Sequence, residues 1–111
     1  MAKVFVTMET SVNFLPAERY GEITFITSIA DDMNNTRGSL HNKDLMRKIR
    51  MTLHKFDQDK DFVIIAGSPY VSALVFMVLG KKCDRIRFLR WSNQDFVYIP
   101  VTIDLTREER V

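Results

Sequence analysis

The sequence predicts a small single-domain α/β protein with a mixed five-stranded sheet, in the element order β-β-α-β-α-β-β. Three observations carry that expectation. Phe62 to Ala66 is an unbroken apolar run rich in β-branched residues, as in a strand covered on both faces. The run stops on Gly67-Ser68-Pro69, which reads as a tight turn, a helix N-cap and a first helical position. Finally, Arg85 to Trp91 and Phe96 to Leu105 are two strand-like runs separated by Ser92-Asn-Gln-Asp95, the pattern of a hairpin. The middle five elements define a βαβαβ, Rossmann-like centre with right-handed crossovers and parallel strands. The C-terminal hairpin adds an antiparallel strand.

Taken in order, Lys3 to Met8 alternates and reads as the first strand. Glu9 to Asn13 is polar and turn-like; Phe14-Leu15 is placed to pack back on the core, and Pro16 to Gly21 has room for a helical turn but reads as loop. Glu22 to Thr27 is the second strand. Ser28 to Ser39 is the longest polar stretch, and a loop of that length in a small domain is more often functional or mobile than accidental. Leu40 to Phe56 is the clearest helix: Leu45, Met46, Ile49, Leu53 and Phe56 share one apolar face. Tyr70 to Leu79 is a second helix, closed by Gly80 and apolar around most of its circumference, so it needs cover on more than one side. Lys81-Lys82 follow where cations favour the helix dipole. Pro100 lacks an N–H for a ladder, which puts the fifth strand at an edge or a bulge. Residues 106–111 read as a charged tail.

Composition bounds the function classes. At 111 residues the chain is one domain. Its 16 basic and 14 acidic residues give a net charge of +2, too balanced to indicate nucleic acid by charge alone. A lone cysteine, Cys83, excludes an intrachain disulfide framework and a cysteine zinc cluster, and the default is a reducing, cytoplasmic setting. The N-terminal residues do not read as a signal peptide. The longest apolar stretch, Val71 to Leu79, is far short of the roughly 20 residues that span a bilayer, so no membrane association is expected.

Parallel strands bring their following loops to one edge. Arg37, Gly38 and Ser39 before the first helix, Gly67, Ser68 and Tyr70 at the second, and Trp91 and Asn93 after the fourth strand gather there as a candidate anion or nucleotide site. Helix N-termini supply N–H groups, and Tyr70 or Trp91 a stacking surface. The same residues also make ordinary caps and turns, and neither a Walker loop nor G-x-G-x-x-G is present. Lys43, Arg47, Arg50 and His54 recur at i, i+4, i+7 and i+11 and form a basic stripe on the first helix, suited to phosphates or an acidic partner, or simply to water. Arg85, Arg87 and Arg90 with Trp91 and Tyr98 make a second basic and aromatic surface. His41 and His54 are too far apart to share a metal. Two preceding lysines would lower the Cys83 thiol pKa, but no general base accompanies it.

No catalytic residue, metal or cofactor is therefore expected. The leading reading is a binding or regulatory module without its own catalysis, a class that includes the partner-interaction proteins compact viral genomes often encode. The alternatives are a nucleotide- or phosphate-binding enzyme using the loop edge, and a nucleic-acid binder using the basic stripe. A homodimer is expected, because two helices cannot cover both faces of five strands.

Overall fold

The structure, a computed structural model, describes residues 1–105, so the tail over 106–111 lies outside the described residues. Five strands are present: β1 (Lys3–Met8), β2 (Glu22–Thr27), β3 (Phe62–Ile64), β4 (Arg85–Ser92) and β5 (Val97–Asp104). Two α-helices, α1 (Leu40–Leu53) and α2 (Pro69–Lys82), and two 3₁₀ helices, η1 (Leu15–Tyr20) and η2 (Ile29–Asp31), complete the chain. The strands form one sheet in the order β2-β1-β3-β4-β5. The first four are parallel and β5 is antiparallel to β4. β3 is central, and its Val63 is fully buried.

Both α-helices lie on one face and η1 on the other, because crossovers between parallel strands are right-handed. From β1 the chain steps outward to β2. From β2 to β3, and from β3 to β4, it steps the opposite way, which puts those connections on the opposite face. Alternation along the strands supplies both cores. Phe5, Val63 and Ile86 face the helices and pack with Leu45, Ile49, Val71 and Val75. Val4, Val6, Ile64, Leu89 and Tyr98 face the other way, under Phe14 and Ala17.

The structure departs from the sequence reading at several boundaries. Pro16 to Gly21, expected as loop with room for a helical turn, takes the helical alternative: it is mostly the 3₁₀ helix η1. Asn13 Oδ1 accepts from Leu15 N–H at 3.0 Å, Pro16 fixes its own φ, and Ala17 is buried. η2 opens the long polar loop with a capping box in which Ser28 and Asp31 satisfy each other. Gly80 does not close α2: the helix runs through it to Lys82 and ends on Cys83, whose φ of −113° is extended. α1 ends at Leu53, and Phe56 is buried just beyond it. β3 ends at Ile64 rather than Ala66, because Ala66 spends both backbone groups on a side chain. Its N–H donates to Thr7 Oγ1 at 2.9 Å, and its carbonyl accepts from the same hydroxyl at 2.8 Å.

Candidate functional site

The direction of the chain reverses between β1 and β3. The loop after β1 turns to the η1 face and the loop after β3 turns to the helix face, which makes this the switch point where open α/β sheets characteristically bind ligands. A cleft of about 910 Å³ opens beside it, between the ends of β3 and β4. Thr10 to Phe14 leave β1 along one wall, omitting Ser11; Ile64 to Gly67 end β3; Phe88 to Trp91 of β4 form the opposite wall, with Tyr98, Val101 and Ile103 of β5 behind.

The cleft exists because two adjacent strands part company. β3 is in register with β4 only at Val63↔Phe88, whereas β4 continues to Ser92 paired with β5. The edge of β3 is held back by a buried polar cluster. Besides its two bonds to Ala66, the Thr7 hydroxyl accepts from Ser72 Oγ at 3.1 Å, and the Thr7 carbonyl accepts from Thr27 Oγ1 at 2.7 Å. Every member is satisfied, so the cluster fixes geometry instead of leaving a buried polar group unpaired. Gly67 then turns the chain with φ +75°, and a Cβ there would collide with the Met8 side chain. Only glycine meets both demands.

The lining is mostly aliphatic and aromatic. Phe14 is buried and packs edge-on against Phe25, ring centroids 5.7 Å apart, so the β1 wall is anchored. Trp91 and Tyr98 meet edge-to-face at 5.0 Å. Burial pushes the Tyr98 phenol up, and Tyr20 Oη donates to its carbonyl at 3.1 Å. Arg90 is the one cation in the lining.

Of the residues placed at this edge by sequence, the cleft gathers Gly67 and Trp91; Arg37, Gly38, Ser39, Ser68, Tyr70 and Asn93 are outside its lining. Ser39 and Ser68 act as N-caps, their hydroxyls accepting from Asn42 N–H at 3.1 Å and Val71 N–H at 3.4 Å. At α2, Pro69 has no N–H and Ser72 N–H is bonded to the Ser68 carbonyl. Tyr70 therefore supplies the first-turn donor that remains, a thin basis for an anion site. Thr10, Val12, Asn13 and Leu89 were not singled out by sequence, and Arg90 only as part of the second basic surface. Their only signal is the turn between the first strand and Phe14, and its place beside β4 depends on strand order.

Lys43, Arg47, Arg50 and His54 are all exposed along one face of α1, with Met51 beside them. Arg47 pairs with Asp44 at 2.8 Å. The second basic group is dispersed: Arg85 pairs with Asp59, Arg87 stacks over the Phe62 ring at 4.3 Å, and Arg90 faces the cleft. The Cys83 reading is corrected. Burial pushes its thiol up, outweighing the nearby Lys82. Lys82 Nζ instead donates to the Leu53 and His54 carbonyls at 2.8 and 2.6 Å and caps the end of α1. His41 Nε2 lies 2.6 Å from the Asp32 carbonyl. Among the described residues, no group of three or more acidic, His or Cys side chains is arranged to hold a metal, and no helix is long and apolar enough to cross a membrane.

Fold and cleft together define a small α/β protein with an open, mainly apolar cleft beside the switch point of its sheet. The chain belongs to the Phage Pam3 gp32-like protein family, whose model matches residues 2–105. No curated protein and no solved structure matches it.

Proposed function

We propose that this phage-family protein is a binding module without its own catalysis, and that the cleft between β3 and β4 takes up an apolar segment of a partner protein. The observation that carries this reading is the cleft itself: about 910 Å³, beside the switch point, lined by Phe14, Ile64, Leu89, Tyr98 and Trp91. Apolar walls with a few polar groups are the usual composition of a ligand site. Aromatic anchors are the usual currency of protein recognition. Asn13, Thr10 and Arg90 are positioned to fix the orientation of a bound chain.

Trp91 is the sole tryptophan and reports on the site directly. Titration with anilinonaphthalene sulfonate as an apolar probe is expected to change Trp91 emission saturably, and Val12→Glu, at an exposed position on the wall, is expected to weaken binding at least tenfold. ATP and inorganic phosphate are expected to leave emission and melting temperature unchanged. Tight nucleotide binding with no probe uptake would reject the reading and favour a phosphate-binding enzyme.

A second reading rests on the stripe Lys43, Arg47, Arg50 and His54, whose four exposed side chains share one face of α1. That surface suits phosphates of a nucleic acid, with an affinity that falls steeply as salt rises.

A further inference from the structure

α2 and the β4–β5 hairpin each carry an apolar surface that the single chain leaves uncovered, side by side on the helix face. The helix buries Val71, Val75 and Leu79, yet Tyr70 and Met77 on its outer side are 68% and 63% exposed, with Ala73 exposed between them. Residues directly opposite in an antiparallel pair share a face. Register therefore puts Ile103 and Ile99 on the same side as Ile86 and Arg90, the helix side. There Ile99 and Ile103 are 43% and 46% exposed, because α2 lies over β1 and reaches only as far as the Phe76–Phe88 ring contact.

We propose that a second copy of this chain covers both surfaces at once, about a two-fold axis parallel to the strands. Each α2 then lies beside its counterpart in one helical layer between two sheets. Its outer stripe of Tyr70, Ala73 and Met77 rests on the partner copy's Val97, Ile99 and Ile103. The contact is self-complementary, as a two-fold interface must be: a helix one layer high fills the step left beside the other helix. Helix direction also agrees with charge. Lys81, exposed at the end of α2, comes to the same end of the sheet as the partner copy's exposed Asp84. Neither belongs to an ion pair among the described residues.

Area supports a second copy over an unoccupied surface. Ile65, Tyr70, Met77, Val97, Ile99 and Ile103 expose on the order of 600 Å² of apolar surface, the upper limit for a monomer patch. With Lys81 and Asp84 at the rim this approaches the roughly 800 Å² per partner of a standard interface. Pairing through the sheet edge is a poorer route. The bond from Leu105 N–H to the Asp84 carbonyl sets the alternation along the hairpin, and by that alternation Pro100 falls where its missing N–H faces the free edge of β5. Ile65 and Ile103 line the cleft as well as this surface, but the test is separate from the ligand reading, since mass is measured without ligand and ligand uptake can be measured in the monomeric Ile99→Glu.

Analytical ultracentrifugation from 5 to 100 µM tests it, a range of roughly the micromolar affinities such interfaces reach. The expected mass is twice the 13.0 kDa of the chain, and Met77→Glu and Ile99→Glu should each return it to the monomer. Both positions are more than 40% exposed, so circular dichroism and melting should show an intact fold. Cross-linking supplies the geometry: Met77→Cys mixed with Ile99→Cys is expected to form a disulfide between copies. A monomer throughout that range, or a dimer indifferent to both glutamates, would overturn the proposal.

Discussion

Gly67 is the residue on which the site turns, and it is constrained twice. Its φ of +75° costs an L side chain roughly 1 kcal/mol, and the collision with Met8 adds a packing cost of about 1–3 kcal/mol. Gly67→Ala is thus expected to lower unfolding free energy by about 2–4 kcal/mol in urea titration. Met8→Ala in that background should remove the Sδ and Cγ part of the collision only, since the Met8 Cβ also lies 2.8 Å from the added Cβ, and should leave the backbone term. A wild-type midpoint for Gly67→Ala would mean that the turn relaxes freely. Phe96 presents the opposite case: it holds φ +54° at the hairpin tip while 72% exposed. Asn tolerates that conformation better, so Phe96→Asn should raise stability by about 0.5–1 kcal/mol. Asp31 carries the pH dependence. Lys48 Nζ lies 2.5 Å from its carboxylate and Ser28 donates to it through N–H and hydroxyl, which together hold it below the usual carboxylate value of 3.8. The folded value is the lower one, so the contribution is complete above the unfolded pKa and disappears as pH falls through the folded one. Asp31→Asn should cost about 1 kcal/mol at neutral pH and progressively less as pH falls through the folded pKa, compared by urea midpoints across an acid series.

Among the elements, those with local signals were legible and those fixed by distant partners were not. Ser39 and Ser68 cap their helices as their sequence context implies, and Pro100 marks an edge strand. η1 was not legible because six residues of 3₁₀ helix have no apolar period to read; its stability comes from Ala17 and Phe14 packing under the far core. The early end of β3 was equally hidden. Thr7, 59 residues away, takes the backbone groups of Ala66, and no pattern within the strand announces that. Lys82 belongs to the same class: it caps α1 from α2, a role invisible in its own helix. Lys82→Met should therefore lower stability by about 1 kcal/mol, measured by thermal denaturation, while Lys81→Met should not. The basic stripe on α1 was legible as a face, but not as a site. Arg47→Glu with Arg50→Glu, at exposed positions, should leave melting within about 0.5 kcal/mol of wild type and abolish any salt-dependent DNA or RNA retention. Retention that survives the double change would place nucleic acid elsewhere or nowhere.

At the scale of the whole molecule, the cleft and the uncovered helix-side surface have one origin: β4 and β5 form a long hairpin joined to the rest of the sheet through one registered pair. β1 is in register with β2 at five positions and with β3 at three, whereas β3 and β4, though packed side by side, are in register only at Val63↔Phe88. The hairpin itself is in register at eight positions, from Arg85↔Asp104 to Ser92↔Val97. It is a locally complete unit with a weak seam. Side chains offset the missing ladder only in part, through Arg87 stacked on Phe62, Phe76 against Phe88, and Tyr20 bonded to the Tyr98 carbonyl. Free energy of opening follows such connections, so elements with sparse ladders exchange at lower cost than the core. Native-state hydrogen exchange is therefore expected to show β1 and β3 amides opening only with global unfolding. β4 and β5 amides should open together at a free energy about 1–2 kcal/mol lower. The two uncovered surfaces predict how that gap responds. An apolar probe in the cleft bridges β3 and β4, and a second copy on Ile99 and Ile103 clamps the hairpin from the helix side; either stabilises the closed form by mass action. Hairpin protection should rise with probe concentration in Ile99→Glu, where pairing is removed, and with protein concentration in the unliganded wild type. Uniform protection across all five strands would show that the seam is as strong as the ladders beside it.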